Sequence, residues 1–262
     1  MKFITSLFTL ILLLSLAPIT SAQERPGTPV PEPGRPEAPI DLTGTWVSII
    51  SEDWRWRMTT PQIGDFANIP ENEAAREVGM AWRPEADTRN ECLAYGAPGI
   101  MHRPGRIKIS WEDDMTLKME FDAGRQTRLF HFDHNVLAGA ASRQGHTLAK
   151  WETPPASRYL NTLRIGQTPR VGTTTRSLEA VTSNLIPGYL RKNGIPHSDQ
   201  TTVTEYFDVF ETPAGVTWFV DTIIVEDPVY LTEPWVTSMN FMKEEDADKW
   251  NPQDCFVIQE YQ

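Results

Sequence analysis

The sequence predicts an all-β protein in which an antiparallel meander closes into a lipocalin-like barrel of about eight to ten strands, with long loops and one or two short helices. Two observations support this prediction. Segments in which apolar and polar residues alternate recur along the chain between turn-forming residues. Strands do not alternate with long amphipathic helices, which argues against a parallel α/β sheet. A closed sheet leaves no unpaired edge, so we expect a barrel, with a β-sandwich as the alternative.

The predicted strands share a period of two and end at Gly, Pro, Asp or Asn, as strands that face a core on one side do. After an opening strand in Asp41–Met58, they are Arg106–Trp111, Thr116–Phe121, Thr127–Phe132, Gln144–Glu152, Ser177–Thr182, Thr201–Phe210, Thr217–Val225 and Val236–Met242. Residues 153–175 are polar and indicate a surface insertion. Pro70–Val78 begins with a proline followed by acids and alanines, which predicts a short helix.

The chain divides into three parts by composition. Residues 1–22 have a basic start, a short apolar run and small residues before a cleavage point, which predicts a secretory signal peptide. Residues 23–40 contain six prolines and no aromatic residue, which predicts an extended linker. Residues 41–262 are predicted to form one β-barrel domain. We therefore expect a periplasmic or secreted protein with no membrane span after cleavage.

The net charge bears on the possible partners of the protein, and the cysteines bear on its covalent structure. A net charge of −11 argues against a nucleic-acid partner, because binding phosphates requires a basic surface. The chain has two cysteines, Cys92 and Cys255, and in an oxidising compartment we expect them to form a disulfide. The chain-entropy model gives about 5 kcal/mol for closing so long a loop.

The stretch Asp41–Met58 contains a turn-forming glycine, Gly44, and is rich in tryptophan from there on. Read as a strand, it places Trp54, Trp56 and Met58 on one face and two arginines on the other. Gly44-Thr45-Trp46 resembles the Gly-x-Trp opening of lipocalin and calycin barrels, in which the Trp packs across the closed end of the barrel.

A second resemblance covers residues 41–255. The segments Glu52–Met58, Gly124–Phe130, Gly188–Gly194 and Asp227–Trp235 resemble those of a large set of exported bacterial hypothetical proteins. This resemblance implies export and a single shared domain. It implies no activity and no catalytic residue.

The densest group of titratable residues is His131, Asp133 and His134. On a strand, His131 and Asp133 share a face, where the carboxylate could orient the imidazole as a general base. His146 could join them if successive strands pair, and the group could then act in catalysis or bind a metal. Ordinary hydrogen bonding is the simplest interpretation, and we predict neither a metal site nor a cofactor.

The candidate ligand-binding residues are mostly cationic. A cationic barrel interior, paired with Glu205 or Glu52, could either brace the barrel or bind an anionic group, and it would be formed by Arg55, Arg57, Arg125 and Arg128. A loop with two glycines and two prolines carries Tyr189, Arg191 and Lys192. It could be a lid or barrel mouth that touches a ligand carboxylate, or simply a packed loop.

Three functions remain open on the sequence alone. The first is an exported barrel that binds a small, mostly apolar molecule bearing a polar or anionic group, with Trp and Phe as walls. The second is a cofactor-independent isomerase, cyclase or lyase that uses a barrel histidine as general acid or base. The third is a structural protein with a solid core. No Gly-x-Ser-x-Gly, Walker or His-Glu-x-x-His motif occurs, which argues against the standard hydrolases, NTPases and zinc proteases.

Overall fold

The computed structural model of the protein describes residues 34–84, 92–152 and 177–256. Strands dominate the described residues, and the strands are β1 (Gly44–Ile49), β2 (Arg106–Asp113), β3 (Thr116–Phe121), β4 (Thr127–His131), β5 (His146–Trp151), β6 (Leu178–Ser183), β7 (Gly188–Tyr189), β8 (Pro196–His197), β9 (Thr202–Glu211), β10 (Thr217–Glu226) and β11 (Trp235–Lys243). The helices are α1 (Trp54–Arg57), α2 (Glu73–Ala81) and α3 (Ala97–Ile100). The predicted signal peptide and the predicted insertion at residues 153–175 lie outside the described residues.

The predicted closed barrel is confirmed. Nine strands close in the order β1-β11-β10-β9-β6-β5-β4-β3-β2, and β7 pairs with β8 in a separate small sheet. All neighbouring barrel strands are antiparallel except β4 and β5, which are parallel, so the meander breaks once. Alternate residues of each strand point inward and are buried, as the period of two predicts.

Rings fill much of the lumen. Phe219 contacts Trp46, Phe207 and Phe241 at centroid separations of 5.5, 5.4 and 5.1 Å, and Phe207 continues the row to Phe130 at 5.5 Å. All five side chains are at most 1 % exposed. Aromatic pairs at such separations add to the stabilisation that burial provides. These aromatic residues therefore pack mainly on one another.

Trp46 lies at the start of the barrel wall. β1 begins at Gly44, whose φ of 111° is open to glycine and strained for other residues. The Trp46 indole donates from Nε1 to the carbonyl of Leu42, 2.8 Å away. Near the same end of the barrel, Trp151 donates from Nε1 to the carbonyl of Gly34 at 3.0 Å. The last residues of the proline-rich segment are thus held against the barrel.

The opposite end of the barrel is covered by parts of three connections, which we call the cap: residues 50–84 and 92–105, residues 184–201, and residues 227–234. They hydrogen-bond to one another: Asn193 donates from Nδ2 to the carbonyls of Gln62 and Asp65 at 3.0 Å each. Asp227 accepts from the backbone nitrogen and hydroxyl of Ser198 and from the Thr201 hydroxyl. Hydrogen bonding holds the pKa of Asp227 below its usual value despite burial. The cap is therefore an ordered part of the fold.

The predicted strand over Trp54–Met58 is wrong. β1 ends at Ile49, Asp53 takes a left-handed conformation with φ of 52°, and Trp54–Arg57 then form the single helical turn α1. The Met58 nitrogen donates to the Trp54 carbonyl at 2.8 Å, which closes that turn. Trp54 is consequently 63 % exposed, and Arg57 is buried.

The predicted disulfide is confirmed. Cys92 and Cys255 are bonded, with their Cα atoms 5.2 Å apart. The bond ties the cap to the last described residues of the chain. The predicted helix over Pro70–Val78 is present as α2, shifted a few residues along, and Asn72 caps it by accepting from the Ala75 nitrogen at 3.0 Å.

Candidate functional site

Of the four arginines expected to form a cationic barrel interior, only Arg128 lies in the lumen. It extends from β4 across the barrel and donates from Nη1 to Glu205 Oε1 on β9 at 2.7 Å, with Nη2 on the second carboxylate oxygen and on the Thr182 hydroxyl. Both partners are at most 1 % exposed. This two-pronged pair fixes two distant strands, so Arg128 and Glu205 brace the barrel.

Asp221 lies beside this pair on β10 and was not identified from the sequence. It is fully buried, and among the described residues neither of its carboxylate oxygens has a hydrogen-bond partner. Burial, with the Glu205 carboxylate adding to it, raises the pKa of Asp221 well above its usual value. The lumen therefore contains one carboxylate bound to an arginine and one carboxyl group that favours its neutral form.

The other three arginines of that prediction lie outside the lumen. Arg125 is in the turn after β3 and pairs with exposed Asp254 at 2.7 Å. Arg55 lies on the outer side of α1 and pairs with Asp65 at 3.0 Å. Arg57, on the same helical turn, is buried in the cap. For Arg55 and Arg57 the prediction failed because it assumed a continuous strand, whereas α1 turns their side chains away from the barrel axis. Arg125 lies outside the lumen because it belongs to the turn between β3 and β4.

His131 and His146 come together on the outer surface of the barrel. Their rings stack with centroids 5.3 Å apart, since β4 and β5 are neighbours. Burial, and then the neighbouring His146, lowers the pKa of His131. Asp133 does not orient His131, because its Oδ1 accepts from the backbone and side-chain nitrogens of Asn135 at 3.0 and 2.9 Å. The arrangement lacks the hydrogen bond that an oriented general base requires.

The cap encloses a second polar group, made of cationic and imidazole side chains at most 5 % exposed. We call it the cap cluster, and its members are Arg57, His102, Arg103, Arg191 and Lys192. They come from three separate segments. Arg57 lies on α1, His102 and Arg103 lie in the turn after α3, and Arg191 and Lys192 lie in the turn between β7 and β8.

The members of the cap cluster destabilise one another's charge. Burial first, and then the neighbouring Arg57 and Arg191, lowers the pKa of Arg103 to about 10. Burial lowers the pKa of Arg191 to about 10. Burial, and then Arg103, lowers the pKa of Lys192 to about 7. Burial and the three arginines hold the pKa of His102 well below its usual value, so this imidazole is neutral.

Carboxylates oppose this charge mainly from beyond ion-pair distance, as Asp53, Asp65 and Glu71 do at Arg191. Arg57 donates from Nη1 to Glu52 Oε1 at 2.8 Å. Within the part of the chain that the structure describes, no carboxylate lies within ion-pair distance of Arg103, Arg191 or Lys192. Buried charges of one sign are costly unless something pairs with them.

The guanidinium groups are held mainly by backbone carbonyls. Arg103 donates from Nε to Gly99 at 3.2 Å and from Nη2 to Leu190 at 3.4 Å, and Arg57 donates from Nε to His102 at 3.2 Å. Nη2 of Arg57 and Nη1 of Arg103 are buried and have no hydrogen-bond partner among the described residues. The backbone therefore fixes two guanidinium groups, and each has a buried N–H group left that can donate to an anion.

Aromatic rings form one side of the cap cluster. The His102 ring stacks on Trp235 with centroids 4.9 Å apart, and Arg191 lies over Trp56 and Trp235 at 4.7 and 5.7 Å. Trp235 also lines an outer cleft of about 420 Å³, together with residues 68–70, 233, 234 and 236. One ring is thus shared by the cap cluster and a surface cleft.

Tyr189 borders the cap cluster without joining it. It lies on β7 and packs edge-to-face on Trp82 at 6.4 Å. The sequence signals for the cap cluster are two basic doublets beside Gly or Pro, His102-Arg103 and Arg191-Lys192. Sequence reasoning selected Arg57, Arg191 and Lys192. It missed His102 and Arg103, because nothing in the sequence shows that segments so far apart meet.

The fold and the two buried groups define a closed β-barrel protein with a braced, ring-filled lumen and a cationic cap. Comparisons with protein-family models, with curated proteins and with solved structures found no match. Within the described residues, no group of three or more His, Cys, Asp or Glu side chains could hold a metal ion. In the same residues, no helix is both long and apolar enough to cross a membrane.

Proposed function

We propose that the protein is an exported barrel that binds a small organic anion in the cap cluster. The observation that carries the proposal is the pair of buried guanidinium nitrogens, on Arg57 and Arg103, that have no described hydrogen-bond partner within a group of like charges. A carboxylate or phosphate that accepts a hydrogen bond from one of these nitrogens would offset the charge of the cap cluster.

The packing of the lumen favours the cap over the barrel interior as the place where the anion binds. Its rings pack on one another, and its arginine is already paired with Glu205. A ligand in the lumen would have to displace these contacts, whereas an anion in the cap satisfies groups that lack partners. The ring of Trp235, which the outer cleft and the cap cluster share, offers an apolar surface for the rest of the ligand.

Export is supported by two features. Cys92 and Cys255 form a disulfide, as proteins of oxidising compartments commonly do. The first residues of the chain carry the signal-peptide pattern, and the resemblance to exported bacterial proteins agrees with it.

Anion binding is tested by thermal unfolding and calorimetry with lactate and inorganic phosphate at low ionic strength. A ligand at a hundred times its Kd stabilises the folded state by about 2.7 kcal/mol. We expect Arg103→Gln to abolish the effect, and the matched surface variant Arg125→Gln to retain it. Equal responses of both variants, or no response of the wild type to either anion, would overturn the proposal.

A further inference from the structure

Lys192 differs from the rest of the cap cluster in its surroundings. Its ammonium nitrogen lies 3.4 Å from the centroid of the Phe256 ring and 5.6 Å from that of Tyr95. The side chain is 5 % exposed, and no hydrogen bond to it occurs among the described residues. Arg103 is the charged group that acts on it most, and it has the same sign. Lys192 therefore lies between aromatic rings and a cation.

These surroundings favour the neutral amine. An ammonium ion in an apolar site beside another cation loses its hydration and gains repulsion, and the pKa of about 7 follows from both effects. Aromatic faces partly offset this loss through cation–π attraction, but they do not replace an acid partner. A neutral lysine amine is a nucleophile at physiological pH, whereas an exposed lysine is almost fully protonated there.

The neighbouring guanidinium group indicates the substrate class. Arg103 lies 5.9 Å from the centre of the Tyr95 ring, which Lys192 also faces, and its Nη1 has no described partner. A carboxylate on Arg103 brings the rest of a small acid towards the amine. In a 2-oxo acid the carbonyl carbon is bonded directly to the carboxylate carbon, so this is the class of acid whose reactive carbon lies nearest to a carboxylate held by Arg103.

We infer that Lys192 forms an imine with the carbonyl carbon of a small 2-oxo acid whose carboxylate is bound by Arg103. The inference rests on the proposed anion site and names its ligand class. The nitrogen lone pair forms a C–N bond, and the carbonyl oxygen takes up protons and leaves as water. A C=N bond remains, and nothing is oxidised or reduced. The protonated imine withdraws electrons from C3, the carbon on the other side of the C=N carbon from the carboxylate, and this is the chemistry that enolisation of such acids requires.

The test uses the purified protein with its disulfide intact, pyruvate as the probe and cyanoborohydride to reduce any imine to a stable amine. Peptide mapping by mass spectrometry compares labelling at Lys192 with labelling at Lys249, whose side chain is 50 % exposed. We expect Lys192 to be labelled at least tenfold faster at pH 7, and its rate to level off above pH 7 while that of Lys249 keeps rising. Methyl pyruvate, which lacks the carboxylate, should lower the ratio of the two sites.

Variants separate this inference from the anion site. Lys192→Arg keeps the charge but removes the amine, so pyruvate and cyanoborohydride should no longer label this position. Arg103→Gln should lose both lactate binding and the preference for Lys192. If lactate binds while Lys192 is labelled no faster than Lys249, the imine is overturned and the anion site stands. If methyl pyruvate gives the same ratio as pyruvate, the oxo-acid assignment is overturned. If lactate fails to bind, the proposed function itself fails.

Discussion

Phe256 lies over the ammonium nitrogen of Lys192, 3.4 Å from Nζ to the ring centroid. Its position follows from the disulfide, since Cys255 precedes it and is bonded to Cys92. The Tyr95 hydroxyl donates to the Phe256 carbonyl at 3.3 Å. The disulfide thus does more than close a loop, because it places both rings that surround the lysine.

Removing the disulfide should therefore change the pKa of Lys192. The double variant Cys92→Ser/Cys255→Ser is expected to lose about 2–5 kcal/mol of unfolding free energy. It should also raise the pKa of Lys192, because Phe256 no longer excludes water. The pH profile of reductive labelling at Lys192 measures this pKa, and urea unfolding measures the stability.

The matched variant for this prediction is Phe256→Ala, which keeps the disulfide. It should raise the pKa of Lys192 in the same direction at a smaller cost in stability. A profile for Lys192 that is unchanged in both variants would show that Phe256 does not control the amine.

Lys192→Met should stabilise the protein. The native pKa of Lys192 is lowered to about 7, so the folded state loses a proton that the unfolded state holds up to about pH 10.5. Each unit of pKa shift corresponds to about 1.4 kcal/mol, so the charged lysine costs stability below pH 7, and this cost fades as the pH rises towards 10.5. We expect a gain of at least about 2 kcal/mol at pH 6 and a smaller gain at pH 9, measured by urea unfolding.

The control for this substitution is Lys249→Met, at a half-exposed site. A surface change of this kind is expected to alter stability by about 0.5 kcal/mol or less. A loss of stability in Lys192→Met at pH 6 would mean that the ammonium is well accommodated, contrary to the surroundings described above.

The barrel was predictable because its determinants are local. Alternation of apolar and polar residues identifies a strand such as Thr116–Phe121 whatever its neighbours are, and those bounds agree with the structure. The cysteine pair was equally readable, because an exported chain with two cysteines has few alternatives. By contrast, alternation over four residues does not distinguish a strand from one helical turn. The left-handed conformation of Asp53 ends the extended chain, and Trp54–Arg57 form a helical turn instead of a strand.

The site was harder to predict because its determinants are not local. Arg103 and Lys192 are ordinary basic residues in the sequence, and only the packing of the cap brings them to the same Tyr95 ring. The predicted link between His131 and Asp133 failed for a local reason. A carboxylate two residues before Asn135 bonds to that residue instead, in a turn that competes with the strand.

The pair of Arg128 and Glu205 should be strongly coupled in stability. Arg128→Met leaves a buried carboxylate without its partner, and we expect a loss of about 3–5 kcal/mol. Adding Glu205→Leu should recover part of that loss, because the second charge is then also removed. A double-mutant cycle from urea unfolding gives the coupling energy.

The reference for this cycle is the surface pair Lys118 and Glu112, which are 3.0 Å apart and partly exposed. An exposed pair of this kind is expected to contribute about 0–1 kcal/mol. A coupling energy no larger at Arg128 than at Lys118 would contradict the bracing role.

Asp221→Asn should remove a pH dependence that the wild type has. Because burial and Glu205 raise the native pKa of Asp221 above the unfolded value of 3.8, the folded state keeps a proton that the unfolded state has lost. That contribution to stability is complete below about pH 4 and is lost as the pH rises through the native pKa. The stability of the asparagine variant relative to wild type should therefore increase from pH 4 towards neutral, by at most about 1.4 kcal/mol per pH unit. Urea unfolding at several pH values measures the difference.

Asp133→Asn is the control, since hydrogen bonds from Asn135 lower its native pKa. Its pH dependence therefore lies below about pH 4, and its stability relative to wild type should stay nearly constant from pH 4 to neutral. A difference for Asp221→Asn that stays constant with pH would mean that this carboxyl group does not hold its proton in the lumen.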